Sequence, residues 1–218
     1  SNPTGAVYTP AEIAALAQVI VERQIVVIAD EIYEKLIYDG VQHLSIGSLG
    51  EEILNLTVTC NGFSKAFAAT GWRLGYVAGP LAVIKAATAL QSHSTSGANT
   101  FAQFGALAAL SNSSSAETVA AMQQVFKSRR DLVVKELRAI PGVTCAMPQG
   151  AFYAFPNIAA TGLDSMTFCQ RLLEDEHVAA VPGVAFGADT NIRLSYATDT
   201  DTLREGLRRL RRFVKSLA

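Results

Sequence analysis

Lys65 lies five residues beyond an apolar run at 56–60, inside Asn61-Gly62-Phe63-Ser64-Lys65-Ala66-Phe67. Arg73 follows within Thr70-Gly71-Trp72-Arg73-Leu74-Gly75-Tyr76. A lysine at the end of a buried strand loses water, and desolvation favours its neutral, nucleophilic amine. An arginine fork matches a phosphate group. Gly62 and Ser64 are small enough for backbone to close on a ligand. Together these residues suit an amine that forms a Schiff base with a phosphorylated aldehyde. Taken alone, Lys65 reads as a surface lysine and Arg73 as a surface ion pair; their spacing and small neighbours change that.

Other residues extend the set. Asp30 ends the run Ile25-Val26-Val27-Ile28-Ala29. Ligands of open α/β sheets bind beyond the carboxyl ends of strands, where a carboxylate can pair with a protonated ring nitrogen. By itself Asp30 reads as a cap or a solvated loop acid. Tyr33 can donate to a phenolic oxygen, and by itself reads as an ordinary half-buried tyrosine. Asn2, in the opening Ser1-Asn2-Pro3-Thr4-Gly5, reads as a turn residue. Arg193 sits inside the apolar run Ile192 to Tyr196, where a guanidinium needs a partner. A bound carboxylate or an internal Asp or Glu would serve equally.

Three further features carry less. Arg204, Arg208, Arg209, Arg211, Arg212 and Lys215 read as the solvated face of a terminal helix. His43, His93 and His177 are scattered without metal-ligand spacing. Cys60 has no base beside it and reads as a structural thiol.

The elements that must position these groups alternate between helix-like and strand-like, which argues α/β. Thr9-Pro10-Ala11-Glu12 has the form of a capping box with proline at the first helical position. Ile13, Leu16, Ala17 and Ile20 continue it at helical spacing. The runs 25–29, 56–60 and 74–78 show no polar alternation, which predicts strands buried on both faces, mostly parallel and covered by helices. Helices are expected at 81–92, 100–110, 117–139, 166–176 and 202–217. Short strands are expected near 143–144, 151–155, 179–181 and 192–196. The polar stretch Ser111 to Ser115 is the best linker candidate. It divides a larger cofactor domain, 1–112, from a smaller α+β domain, 113–218.

The totals exclude several classes. Of 218 residues half are hydrophobic and 17% charged, so the chain buries a substantial core. A net charge of -1 gives no electrostatic case for nucleic acid or an acidic membrane. The three cysteines, without any CxxC, form neither a disulfide framework nor a zinc site and fit a reduced cytoplasm. No apolar run is long enough to span a bilayer, and no basic-then-apolar leader is visible. The turn at Ser1 normally follows another element, which suggests a chain that begins within a larger protein.

Six segments in order resemble the class I/II aminotransferases of the pyridoxal-phosphate (PLP) fold-type I superfamily. They are Asn2-Pro3-Thr4-Gly5, Asp30-Glu31-Ile32-Tyr33, Ser64-Lys65 with Gly71-Trp72-Arg73-Leu74-Gly75, Gly150-Ala151-Phe152-Tyr153, Val181-Pro182-Gly183 and Asn191-Ile192-Arg193-Leu194-Ser195. The wording around Lys65 is most similar to the bacterial aspartate-aminotransferase-like branch. The resemblance implies that Lys65 carries the pyridoxal 5'-phosphate as a Schiff base. Asp30 would pair with the ring nitrogen, and Tyr33 and Asn2 would bond its phenolic oxygen. Arg73 and Ser64 would hold the phosphate, and Arg193 the substrate α-carboxylate. Many members carry serine where this chain has Gly62, so one hydroxyl contact is replaced at most by a backbone amide.

The implied reaction is transamination between an L-amino acid and a 2-oxo acid by a homodimer. The alternatives are another PLP reaction such as β-elimination, or an effector-binding module of a transcription regulator. The resemblance covers the later part of the family's pattern, without its phosphate loop and the aromatic residue that stacks on the ring. That implies a C-terminal fragment, inactive alone.

Overall fold

The computed structural model describes residues 1–217. They pack as two units, Val7–Ala121 and Ser1–Ala6 together with Met122 onward. The division falls inside a long helix, nine residues beyond the 112/113 boundary expected from composition, and the first six residues go with the second unit. A polar, small-residue stretch marks where a chain tolerates solvent. It does not mark where packing changes partners.

In the first unit, α1 (Pro10–Arg23) starts where Thr9 Oγ accepts from the Glu12 N–H at 3.2 Å and Glu12 Oε2 accepts from the Thr9 N–H at 2.8 Å. This is the reciprocal box expected from the sequence, and it occupies backbone donors that a helix start leaves free. Ala17 and its neighbours Ile13, Ile20 and Val21 pack on Ile46, Ile53, Val27 and Ala29. That contact seats α1, a 3-10 turn at Ile46–Leu49 and α2 (Glu51–Leu54) over one face of the sheet.

The sheet has the order β1 (Val27–Asp30), β2 (Thr57–Gly62), β3 (Gly75–Ala78). β1 runs parallel to β2, and β3 antiparallel to it, so the sheet is mixed. α3 (Leu81–Ser94), α4 (Thr100–Ser111) and α5 (Ser115–Arg138) follow.

Among the described residues the sheet is not buried on both faces. Along β1 burial alternates; Val27 and Ala29 turn inward while Ile28 is 75% exposed, and all of β3 is exposed. The unbroken apolar runs encode two covered faces. The described residues supply a helical layer to β1 on one face only.

The second unit holds α6 (Ser165–Glu176), α7 (Thr200–Ser216) and a sheet ordered β4 (Tyr153–Ala154), β6 (Ile192–Ser195), β5 (Val181–Pro182). Both pairings are antiparallel. Phe168, Leu172, Ile192, Tyr196, Leu210 and Phe213 form the centre of its core. Phe168 and Phe213 meet edge to face at 5.1 Å. Each such side chain contributes about 1.5–3 kcal/mol by leaving water. The expected stripe on α7 is the buried one: Leu203, Leu207, Leu210, Phe213 and Val214. Its basic face is solvated at Arg204 and Lys215, and its other four cations are ion-paired. Arg208 and Arg209 hold Glu205, Arg211 holds Glu136 and Arg212 holds Glu176.

Gly183 fixes how β5 approaches β6. Its N–H donates to Asn191 O at 2.8 Å, and a Cβ there would lie 2.1 Å from Ala188 O and 2.2 Å from Asn191 O. Those atoms are backbone, so they cannot step aside. Gly183→Ala is expected to cost about 3 kcal/mol of stability, as overpacking does, measured as a lowered urea midpoint. An unchanged midpoint would mean that the 183–191 loop reshapes freely.

Candidate active site

The strand register of the first unit gathers three of the chemically apt residues at one sheet end. Asp30 lies opposite Cys60 across the parallel pair, and Lys65 follows Cys60 by five residues at that same carboxyl end. Gly62 lies opposite Gly75 across the antiparallel pair, which brings in Arg73, two residues before Gly75. The glycine pair permits this. A Cβ on Gly62 would sit 3.0 Å from Gly75 Cα, and one on Gly75 would sit 2.9 Å from Asn61 O.

Ser64 and Lys65 are half-buried between two anchors, Phe63 and Ala66. The Phe63 ring meets Phe67 at 5.6 Å and Tyr76 at 6.0 Å. Hydrogen bonds from Phe67 and Ala69 N–H to Phe63 O close the turn around the lysine. The Gly62 N–H donates to Asn61 Oδ1 at 2.7 Å, so the amide expected to replace a serine hydroxyl is already engaged. Arg73 takes a left-handed conformation, φ 51°, and its Nη1 donates to Thr70 O at 3.2 Å. Asp30 is exposed, and its Oδ1 accepts from the Ile32 N–H at 3.2 Å. Tyr33 stands on the turn that follows.

The second unit brings together the other two candidates, 191 positions apart in sequence: Arg193 Nη1 donates to Asn2 Oδ1 at 2.8 Å. Asn2 is held by its turn. The Gly5 N–H donates to Ser1 O, and Gly5 O accepts from both Gln149 and Gly150 N–H at 2.8 Å. Gly5 has φ +69°, and a Cβ there would meet Pro148 Cβ at 2.4 Å. Glycine is therefore required on both counts.

Arg193 makes no ion pair with an Asp or Glu among the described residues, and its buried Nε has no hydrogen-bond partner. Its guanidinium is bracketed by Tyr153 at 4.6 Å and Phe186 at 5.3 Å. Such stacking suits arginine's planar, weakly hydrated cation. A buried charged donor without a partner, beside two aromatic rings, has hydrogen-bonding capacity left over.

Sequence reasoning missed the two aromatic walls. Tyr153 lay in a motif without an assigned role; its register opposite Ser195, two residues from Arg193, is a tertiary fact. Phe186 carried no signal. Cys145 and Cys169 lie in the core of the second unit. Burial pushes the Cys145 thiol up and that of Cys169 up to about 11, so both are poor nucleophiles.

Residues 1–210 match the protein-family model for aminotransferase class I and II. The chain belongs to that family. Among its relatives, aspartate aminotransferase of Bacillus subtilis (strain 168) is 46% identical, covering 99% of this chain and 56% of its own length. Aspartate aminotransferase of Geobacillus stearothermophilus is 47% identical over all of this chain and 56% of its own length. Among solved structures, an aromatic aminotransferase from Pyrococcus horikoshii OT3 superposes with a TM-score of 0.95 at 42% identity, covering 100% of this chain and 59% of its own. The chain thus spans somewhat over half the length of the curated relatives it matches.

Proposed function

We propose that this chain is the lysine-bearing part of a PLP-dependent aminotransferase that exchanges an amino group between an L-amino acid, with aspartate as the favoured donor, and a 2-oxo acid. The observation that carries this reading is the convergence of an amine, a carboxylate and a guanidinium at one sheet end. That donor set matches an aldehyde, a ring nitrogen and a phosphate. The residues therefore fit the cofactor.

Lys65 would hold it covalently, Asp30 would face the ring nitrogen, and Tyr33 and Asn2 Nδ2 would donate to the phenolic oxygen. With Oδ1 turned to Arg193, the Asn2 amide has its donor end left for this task. Arg73 and Ser64 would hold the phosphate. When bound, the cofactor supplies an electron sink for charge developing at the substrate's Cα. The Lys65 amine would also serve as the general base for the Cα proton. Asp30 keeps a proton at the ring nitrogen. The Arg193 fork receives the α-carboxylate with the Nε that otherwise has no partner, and so orients the Cα–H bond. Two half-reactions on one cofactor imply ping-pong kinetics, and the homodimer proposed for the full-length protein rests on the family likeness alone.

The test is an absorbance spectrum of the full-length protein with pyridoxal 5'-phosphate, before and after adding aspartate, alanine or an aromatic amino acid. A visible band that aspartate bleaches, with release of 2-oxo acid, is expected. Ammonia release in place of transfer would overturn the transaminase reading.

A further inference from the structure

Asp30 and Tyr33 hang from the exposed end of β1, and something must keep that end still. The backbone does part of this. The Glu31 N–H donates to Cys60 O at 2.9 Å, Glu34 N–H to Glu31 O, and Leu36 N–H to Tyr33 O. The side chain between the two residues does more. The Glu31 side chain is only 9% exposed, and its Oε2 lies 3.2 Å from His43 Nε2, twelve residues further on. Ser45 adds a second hydrogen bond to the same carboxylate.

His43 and Ser45 lead into the 3-10 turn at Ile46–Leu49, and that turn is itself braced. Ile46 belongs to the cluster with Ala17 and Ile53, and Gly47 beside it is buried too. Glu31 thus ties the segment that carries Asp30 and Tyr33 to a packed part of the sheet.

We infer that His43, through its bond to Glu31, is a positioning residue for Asp30 and Tyr33. The inference rests on the cofactor reading above. His43 touches no atom of the proposed reaction; it acts by fixing the turn.

The surrounding charges favour the ion pair. Glu31 and Glu34 both draw His43 toward its charged form, opposed by burial and by Lys35. From β3, Tyr76 faces the same two carboxylates. The result is a His43 that titrates above its ordinary 6.5. Burial works to raise the Glu31 acid, but hydrogen bonds from His43 and Ser45 and the His43 charge outweigh it and hold it below 4.5. The pair is fully charged between those two values. It is lost as pH rises through the raised His43 value or falls through the lowered Glu31 value.

The experiment uses full-length protein loaded with pyridoxal 5'-phosphate, comparing wild type with His43→Ala, His43→Gln, Glu31→Gln and the double variant His43→Ala/Glu31→Gln. The readouts are the cofactor dissociation constant and the apparent pKa of the visible band, neither of which needs turnover. Loss of the tie is expected to weaken cofactor binding about tenfold, the worth of one or two hydrogen bonds. It should raise the apparent pKa of the band, because a hydroxyl donated to the phenolic oxygen favours the deprotonated chromophore. Glu31→Gln keeps the volume and serves where His43→Ala fails to fold. His43→Gln retains a donor and should recover part of the loss, and the double variant should be no worse than either single one.

Variants that lower the thermal midpoint yet leave both the dissociation constant and the band at wild-type values would overturn the positioning role. A wild type that forms no band at all would sink the cofactor reading, and the inference with it. A wild-type band with unmoved variants would sink the inference alone.

Discussion

Lys65→Ala in the full-length protein should abolish the visible band formed with pyridoxal 5'-phosphate and lower turnover by about 10⁴-fold, the upper range for removal of a positioned general base. The amine is the only group proposed both to hold the aldehyde and to move the Cα proton, so no neighbour replaces it. Stability should change little. Lys65 is half-buried, whereas the turn that carries it is anchored by Phe63 and Ala66. Cofactor would remain bound non-covalently through the Arg73 and Asp30 contacts. Added methylamine, entering the space left by the side chain, should restore part of the turnover. A Lys65→Ala protein that kept both colour and turnover would refute the assignment outright.

Arg193→Ala should lower kcat/KM by roughly 10²–10³-fold, equivalent to about 3–4 kcal/mol for a lost charge-assisted fork. The loss should fall on both KM and kcat, because the α-carboxylate is bound and the Cα–H bond oriented by the same contact. Arg193→Lys should recover little. An ammonium cannot form the planar fork and stacks less well between Tyr153 and Phe186, which stand 4.6 and 5.3 Å from the guanidinium. The cofactor band should survive both changes, which separates a substrate role from a cofactor role. Unchanged kcat/KM in either variant would make Arg193 a purely structural cation, held by Asn2 and the two rings.

What made the chemistry readable in sequence was its dependence on residue type. An amine, a fork and a carboxylate cannot be exchanged for look-alikes, so Lys65, Arg73, Asp30 and Arg193 stand out once their spacing and their small or apolar neighbours are read with them. The capping box at Thr9 and Glu12 was readable for another reason: its two partners are three residues apart, and local geometry follows from local sequence. Helices from α3 onward follow the same logic, with ends within two residues of expectation.

Tertiary structure decided everything that joins distant positions. In sequence a bound carboxylate and an internal Asp or Glu suited Arg193 equally; the fold places Asn2 beside it from 191 positions away. His43 carried no spacing signal, because its partner Glu31 is reached through a loop rather than along a helix or strand. Apolar periodicity reports the total burial a strand is built for. It does not report which layers provide that burial, which is why 25–29 promised two covered faces and β1 has one among the described residues. The sequence by itself determined which groups can react and how each segment folds locally, since both are properties of side chains and near neighbours. Only packing determined which of those groups meet, since contacts across the chain depend on how its segments share one interior.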